Sequence, residues 1–322
     1  MVFPLTKYRE SRGIAEFWRG TRGTVEKPGR VNNEGRFTCL LRPWRRFVSL
    51  VRLEQTVFAL PFAWVGMLLA GGSLPEGRVA FWVTVAMVGA RTAGMALNRL
   101  IDREIDARNP RTCQRDLPTG RVSVQAVRLL AWLSLGTLVL AAGFLNPLCL
   151  ALSPLAVLLL LVYSYLKRLT WACHLGLGLV QACAPLGGWL AVTGRFELPA
   201  WLLGGAIMLW VGGFDILYAC QDLQHDRAVG LHSLPVRLGA RGAFRVARLC
   251  HVLALVLLAL VGTLLGLGGP WSLGLGTVGA LLVWEHSLLS PDDLSRMQQA
   301  FFTCNAAISL SLLAACLLEI LT

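Results

Sequence analysis

The chain has 322 residues and a formal net charge of +12, yet only 15% of its residues are charged and 55% are hydrophobic. That is too apolar for an ordinary soluble domain of this size. The surplus of Lys and Arg would suit a nucleic-acid partner, but it gathers in the segments between long apolar runs, which excludes a simple basic binding face and points to a membrane protein with charged loops. Nine cysteines are scattered without a Cys-x-x-Cys pair, so neither a disulfide framework nor a zinc site is expected.

In chain order, residues 1–45 are polar and basic and lack the apolar core of a secretory signal. They read as a flexible basic arm in the cytoplasm, resting on anionic lipid. Residues 44–55 mix basic and apolar positions at helical spacing and read as an interfacial helix. Apolar runs then follow at 56–74, 79–97, 126–145, 147–166, 173–192, 200–220, 246–267, 271–289 and 300–321, each near the ~20 residues that a helical span requires. The expected fold is therefore an all-α integral membrane protein, a bundle of nine transmembrane helices formed by residues 46–322. The separators carry Gly, Pro or charge and cannot lie in lipid with their backbone unpaired.

Nine spans place alternate loops on opposite sides. One set carries Arg103, Arg111, Arg115, Lys167, Arg168, Arg237 and further arginines, whereas the other carries only Arg78 and Arg195. The rich side is expected to face the cytoplasm. This makes the chain a multi-pass protein of the cell's inner (plasma) membrane; an eight-span count would remove the bias.

Two acid clusters fall on that same side. The first is Asn98, Asp102 and Asp106, spaced by four; the second is Asp215, Tyr218, Asp222 and Asp226. On a helix each set shares one face. Carboxylates near a bilayer are costly without a partner, and several of them facing one another would repel. Mg²⁺, held by one or two carboxylates and substrate phosphates, resolves this. Asn98, Asp102, Asp106, Asp222 and Asp226 are thus the candidate metal ligands. Arg103, Arg111 and Arg115, with Lys167 and Arg168 after the fourth run, are candidate diphosphate-binding cations, and Tyr163 shares a helical face with Lys167. Either cluster alone would read as a solvated helix end; the pair, with matched spacing, does not. His174, His232 and His251 show no metal-ligand spacing and read as structural or surface residues, and His225 stands apart because it lies inside the second cluster.

At these residues the chain resembles the UbiA superfamily of intramembrane aromatic prenyltransferases. Asn98, Asp102 and Asp106 match its Asn-x-x-x-Asp-x-x-x-Asp motif. Asp215, Tyr218, Asp222 and Asp226 match its second motif, and Tyr163 with Lys167 its Tyr-x-x-x-Lys element. Asn109-Pro-Arg-Thr112 and Leu117–Ser123 are similar to the loop after the first motif. The resemblance covers about residues 46–320. It implies nine helices around a central cavity and a Mg²⁺-dependent transfer of a polyprenyl group from polyprenyl diphosphate to an aromatic acceptor.

Within the superfamily the chain is most similar to 4-hydroxybenzoate polyprenyltransferases and their menaquinone-pathway relatives, which implies a role in quinone (ubiquinone or menaquinone) biosynthesis. Arg99 stands where many 4-hydroxybenzoate enzymes carry Asp, so an aminofutalosine-type menaquinone precursor is a second acceptor. Catalytic roles are implied for Asp102, Asp106, Asp222, Asp226 and Asp215. Arg91, inside the second run, is the expected anchor for an acceptor carboxylate or else a structural partner of Asp215. Tyr218 and Arg52 complete the acceptor set.

A transporter of cations or organic anions is the reading from another class. It would place ionisable groups near the bilayer midplane in broken helices, whereas these acids gather at one end.

Overall fold

The computed structural model describes residues 53–322; the basic arm and Arg52 lie outside the described residues. All regular structure of any length is helical. The long elements are α1 (Leu53–Gly71), α2 (Gly77–Ile101), α4 (Val124–Leu145), α5 (Pro147–Leu169), α6 (Cys173–Thr193), α7 (Leu198–Ala219), α9 (Leu234–Leu265), α10 (Gly269–Leu288) and α11 (Asn305–Leu321). Two six-residue helices, α3 (Arg103–Arg108) and α8 (Leu223–Ala228), follow α2 and α7.

Each expected apolar run falls on one of these long helices. Among the described residues seven helices are long and apolar enough to cross a membrane. The helix α10 is diluted by glycines and by Glu285 and His286. Among the described residues, the chain is an all-α membrane protein with seven such helices.

Local chemistry sets the helix ends. Ser123, Asn146 and Ser233 cap α4, α5 and α9, their side-chain oxygens accepting from the N–H groups of Ala126, Cys149 and Val236. Pro147, Pro199 and Pro235 sit in the first turns of α5, α7 and α9, where a missing N–H costs nothing. Gly239, at φ 70°, bends α9 near its start, a conformation that glycine adopts without a Cβ clash.

The bundle packs α2 on α4, α7 between α6 and α9, and α1 on α6. Its main core gathers Phe62, Trp189, Trp210, Phe214, Trp271 and Leu312. Close approach of α1 and α6 depends on small residues. A Cβ at Gly188 would lie 2.1 Å from the Ala63 carbonyl oxygen, and one at Gly66 2.1 Å from that of Pro185. Both neighbours are backbone and cannot swing aside, so the two helices can touch only where the Cβ is missing. Gly188→Ala should therefore cost about 1–3 kcal/mol through overpacking, read as a lower melting temperature of the purified protein in detergent; an unchanged temperature would mean that the contact is loose.

Candidate functional site

The two acid clusters share one backbone design. In both, a six-residue helix continues from the middle aspartate; α2 runs directly up to Asp102, whereas α7 ends at Ala219 and reaches Asp222 through a 3-10 turn, Cys220–Asp222. Asp102 has φ −91° and ψ 3°, and Asp222 has φ −100° and ψ 3°, the bridge region between helix and strand. The single continuous helix face expected from spacing is thus replaced by a bend at each central carboxylate. The i,i+4 bonding survives the first bend, since the Asp102 N–H donates to the Asn98 carbonyl at 2.9 Å and the Asp106 N–H to that of Asp102 at 2.8 Å.

Each central aspartate is held by cations from other elements. Asp102 is buried, with Lys167 Nζ at 2.7 Å, Arg168 Nη2 at 3.4 Å and the Asn98 amide donating at 2.9 Å. Burial pushes the Asp102 carboxyl above its ordinary pKa, against the pull of Lys167. Removing Lys167 would leave the buried Asp102 carboxylate with only the longer Arg168 contact and the Asn98 amide to offset its charge. Asp106 is also buried; Arg115 Nη1 lies 2.8 Å from both of its oxygens, and Arg99 is 3.7 Å away.

Asp222 joins the clusters. Its Oδ1 accepts from Arg111 Nε at 2.8 Å and from the Asn109 amide at 2.9 Å, and Arg111 Nη2 pairs with its Oδ2. Both donors belong to the loop that follows the first cluster, so the two helix ends lie at the same end of the bundle. Burial weighs against the Arg111 charge, but its bonds to Asp222 and to the Tyr218 hydroxyl raise its pKa on balance. Arg111 Nη1 donates to Tyr218 Oη at 2.9 Å, and the guanidinium lies over the Tyr218 ring. Asp226 has no ion pair or hydrogen bond through its carboxylate among the described residues; Lys167 is one of the charges it feels.

Two cavities flank this knot. An apolar one of about 290 Å³ runs between α2, α5 and α6, and Arg91, Tyr163 and Gln181 are its polar groups near the acid end. Arg91 lies seven residues before Asn98, or about 10 Å along α2 at 1.5 Å per residue. A polar one of about 480 Å³ is lined by Arg99, Arg111, Arg115, Arg121 and Tyr218.

Several expected placements change. Arg103 points away from the acids; it pairs with exposed Glu104 at 4.0 Å and lines an outer cleft, because α3 turns its first residue outward when the helix bends at Asp102. Tyr163 does not join Lys167 on the carboxylates. Its hydroxyl donates to the Gly94 carbonyl at 3.0 Å. Tyr218 lines the polar cavity, whereas Arg91 lines the apolar one, so the acceptor set is split. Arg91 is not the partner of Asp215. It reaches Gln181 Oε1 at 3.5 Å, and Asp215 is bound by His174 Nδ1 at 2.7 Å. His174 Nε2 accepts the Leu234 N–H, so the ring proton sits on Nδ1 and is donated to Asp215.

Asn109 and Gln181 carry roles that spacing did not assign. A lone amide in the apolar run of α6 was the signal for Gln181. Asn109 sits in the quoted Asn-Pro-Arg-Thr loop, and its amide oxygen also accepts the Arg111 N–H.

The donor set suits a hard cation. The acids supply carboxylate oxygens and Asn98 an amide, the ligands that Mg²⁺ prefers. Among the described residues no three His, Cys, Asp or Glu side chains form a ready-made metal cluster.

The model of the UbiA prenyltransferase family matches residues 59–309. This chain belongs to the UbiA prenyltransferase family. As such it is a membrane prenyltransferase. It is 33% identical over 275 residues to the 4-hydroxybenzoate octaprenyltransferase of Methylobacillus flagellatus, covering 83% of this chain and 92% of that one. It is 33% identical over 269 residues to the enzyme of the same name from Alkalilimnicola ehrlichii, covering 82% and 90%. Among solved structures it is similar to an apo UbiA homolog from Aeropyrum pernix K1, with 33% identity, a TM-score of 0.76, and coverage of 83% of this chain and 98% of that one. A UbiA homolog from Archaeoglobus fulgidus, bound to GPP and Mg²⁺, shares the fold at 20% identity and a TM-score of 0.67, covering 86% and 100%.

The Asn109–Asp222 bond ties the first loop of this prenyltransferase to α7. Asn109→Ala should loosen residues 109–121, and trypsin should cut at Arg111 or Arg115 about tenfold faster than in the parent chain, the mark of a lower local opening energy. Equal cleavage rates would show that Asn109 does not hold the loop.

Proposed function

We propose that this protein transfers a polyprenyl group from polyprenyl diphosphate to an aromatic acceptor of the 4-hydroxybenzoate kind, in quinone biosynthesis. The observation that carries the reading is the join between the two acid clusters. Asp222 is bonded to the loop behind Asp102 and Asp106, and an apolar cavity between α2, α5 and α6 is lined by Arg91 and Tyr163 of the helices that carry Asn98 and Lys167. A diphosphate needs the charged end, a prenyl chain needs the apolar one, and the scissile bond lies where they meet.

Asn98, Asp102, Asp106, Asp222 and Asp226 would hold Mg²⁺, which when bound neutralises charge on the departing diphosphate. Lys167, Arg168, Arg111 and Arg115 take up the remaining phosphate oxygens. Arg103, paired with exposed Glu104, drops out of that set. As the allylic C–O bond breaks, these fixed cations meet the charge that develops on the leaving oxygen. The carbocation is captured by a ring carbon ortho to the acceptor's phenol oxygen, and loss of that carbon's proton to the released diphosphate restores aromaticity. Apolar walls from α2, α5 and α6 keep water from the cation.

Arg91 anchors the acceptor's carboxylate at the head of the apolar cavity, with Tyr163 and Gln181 beside it. Asp215 acts at one remove, holding His174 between α6 and α7. Residues 46–322 form the membrane domain, with the acid end on the cytoplasmic side; the basic loops at that end support this orientation.

Asp102→Ala, Asp106→Ala, Asp222→Ala and Asp226→Ala should each lower turnover at least a hundredfold, as should chelation of Mg²⁺, measured with labelled polyprenyl diphosphate and 4-hydroxybenzoate. Near-native rates in two of the four variants would reject the metal assignment. Arg91→Ala should raise the acceptor KM about tenfold or more, the size expected for losing a charge-assisted hydrogen bond. A change confined to the KM of the prenyl diphosphate would remove Arg91 from the acceptor site.

A further inference from the structure

A third cavity, of about 630 Å³, opens on the outer side of the acid end, away from both cavities described above. Its wall carries Arg103, Arg108, Arg128 and Arg168, with His225, against the single carboxylate of Glu104. Glu104 is mostly exposed, and its one ion pair is the long contact to Arg103. Arg108 and Arg128 form no ion pair among the described residues and are not held by any neighbouring acid. Such a concentration of guanidinium groups repels itself unless an anion joins it.

The rest of the wall is apolar. Leu100, Ile101, Ile105, Val124, Val229 and Leu231 share it with the arginines. The cleft also stands at the foot of membrane-spanning helices. Arg128 is in the second turn of α4, and one turn further along the same face is Trp132, 66% exposed, with Leu129 and Leu133 beside it at 61% and 62%. On α5, Arg168 lies over the Tyr165 ring at 5.3 Å and is followed by exposed Leu169. Exposed tryptophan, tyrosine and leucine next to arginines are the pattern of a membrane–water interface.

We propose that this cleft binds the headgroup of an anionic phospholipid. The phosphate sits among Arg103, Arg108 and Arg128, and the acyl chains descend along the exposed leucines of α4 and α5. Charge complementarity selects an acidic lipid, and the continuous apolar strip selects a lipid over a soluble phosphate. Arg168 gives the site a link inward, because the same guanidinium that borders the cleft bonds the Ile101 carbonyl and Asp102. A headgroup held there fixes Arg168 from outside. The binding itself does not depend on the identity of the acceptor or on catalysis.

The test is native mass spectrometry of the full chain, released from nanodiscs of phosphatidylcholine with a minor share of phosphatidylglycerol. The parent chain should retain phosphatidylglycerol in preference to phosphatidylcholine. Arg108→Gln and Arg128→Gln should each weaken that preference roughly fivefold, as expected for one basic residue at an anionic surface. Equal retention of the two lipids, or unchanged retention in the double variant with folding verified by its melting curve, overturns the proposal. Displacement of the lipid by inorganic phosphate at matched concentration would show that free phosphate is the ligand. Displacement by a prenyl diphosphate would show that the cleft belongs to the substrate's path. Either result also overturns it.

Discussion

Buried negative charge is the constraint around which this molecule is built. Asp102 and Asp106 are nearly inaccessible to solvent, and neither could be kept there ionised without a partner. The chain answers with cations from two segments and an amide from a third. Lys167 and Arg168 come from the end of α5, Arg115 and Arg111 from the loop after α3, and Asn98 contributes from α2 itself. Because Arg111 and Asn109 reach across to Asp222, the same charges that stabilise the carboxylates also bind the two halves of the bundle together. The electrostatics and the architecture are one set of contacts.

That arrangement divides the interior sharply. One cavity is polar and rich in guanidinium groups; the other has walls that are almost wholly alkyl and aromatic. A reaction that separates a diphosphate from a carbocation needs this division, since anion and cation require opposite surroundings. Tyr163 and Arg91 stand on the boundary. The Tyr163 hydroxyl is satisfied by the Gly94 carbonyl and Arg91 reaches Gln181, so both are oriented by their partners.

The two acid-bearing segments also repeat a local fold. Each is a long helix, a bend at the central aspartate and a helix of six residues, with nearly the same backbone angles at the bend. The matched four-residue spacing of the two clusters therefore corresponds to a shared bend at their central aspartates. The copies differ in their partners. Asp102 faces the end of α5, and Asp222 faces the loop of the other copy, which is what brings the copies together.

Much of this was legible in the residues. Apolar runs of span length located the long helices, since a membrane helix must be apolar over nearly all its length. The four-residue spacing located the acids, because helix periodicity maps spacing onto a face. The motifs at Asn98 and Asp215 identified the family. What periodicity cannot convey is direction once a helix bends or a side chain finds a distant partner. The bend at Asp102 turned Arg103 outward and left Arg115 to meet Asp106. Tyr163 took the backbone carbonyl that Gly94 leaves open, and His174, forty-one residues away, took Asp215. Such pairings depend on which helices pack together, and that is settled by contacts like those of Gly188 and Gly66 on backbone carbonyls, between residues far apart along the chain.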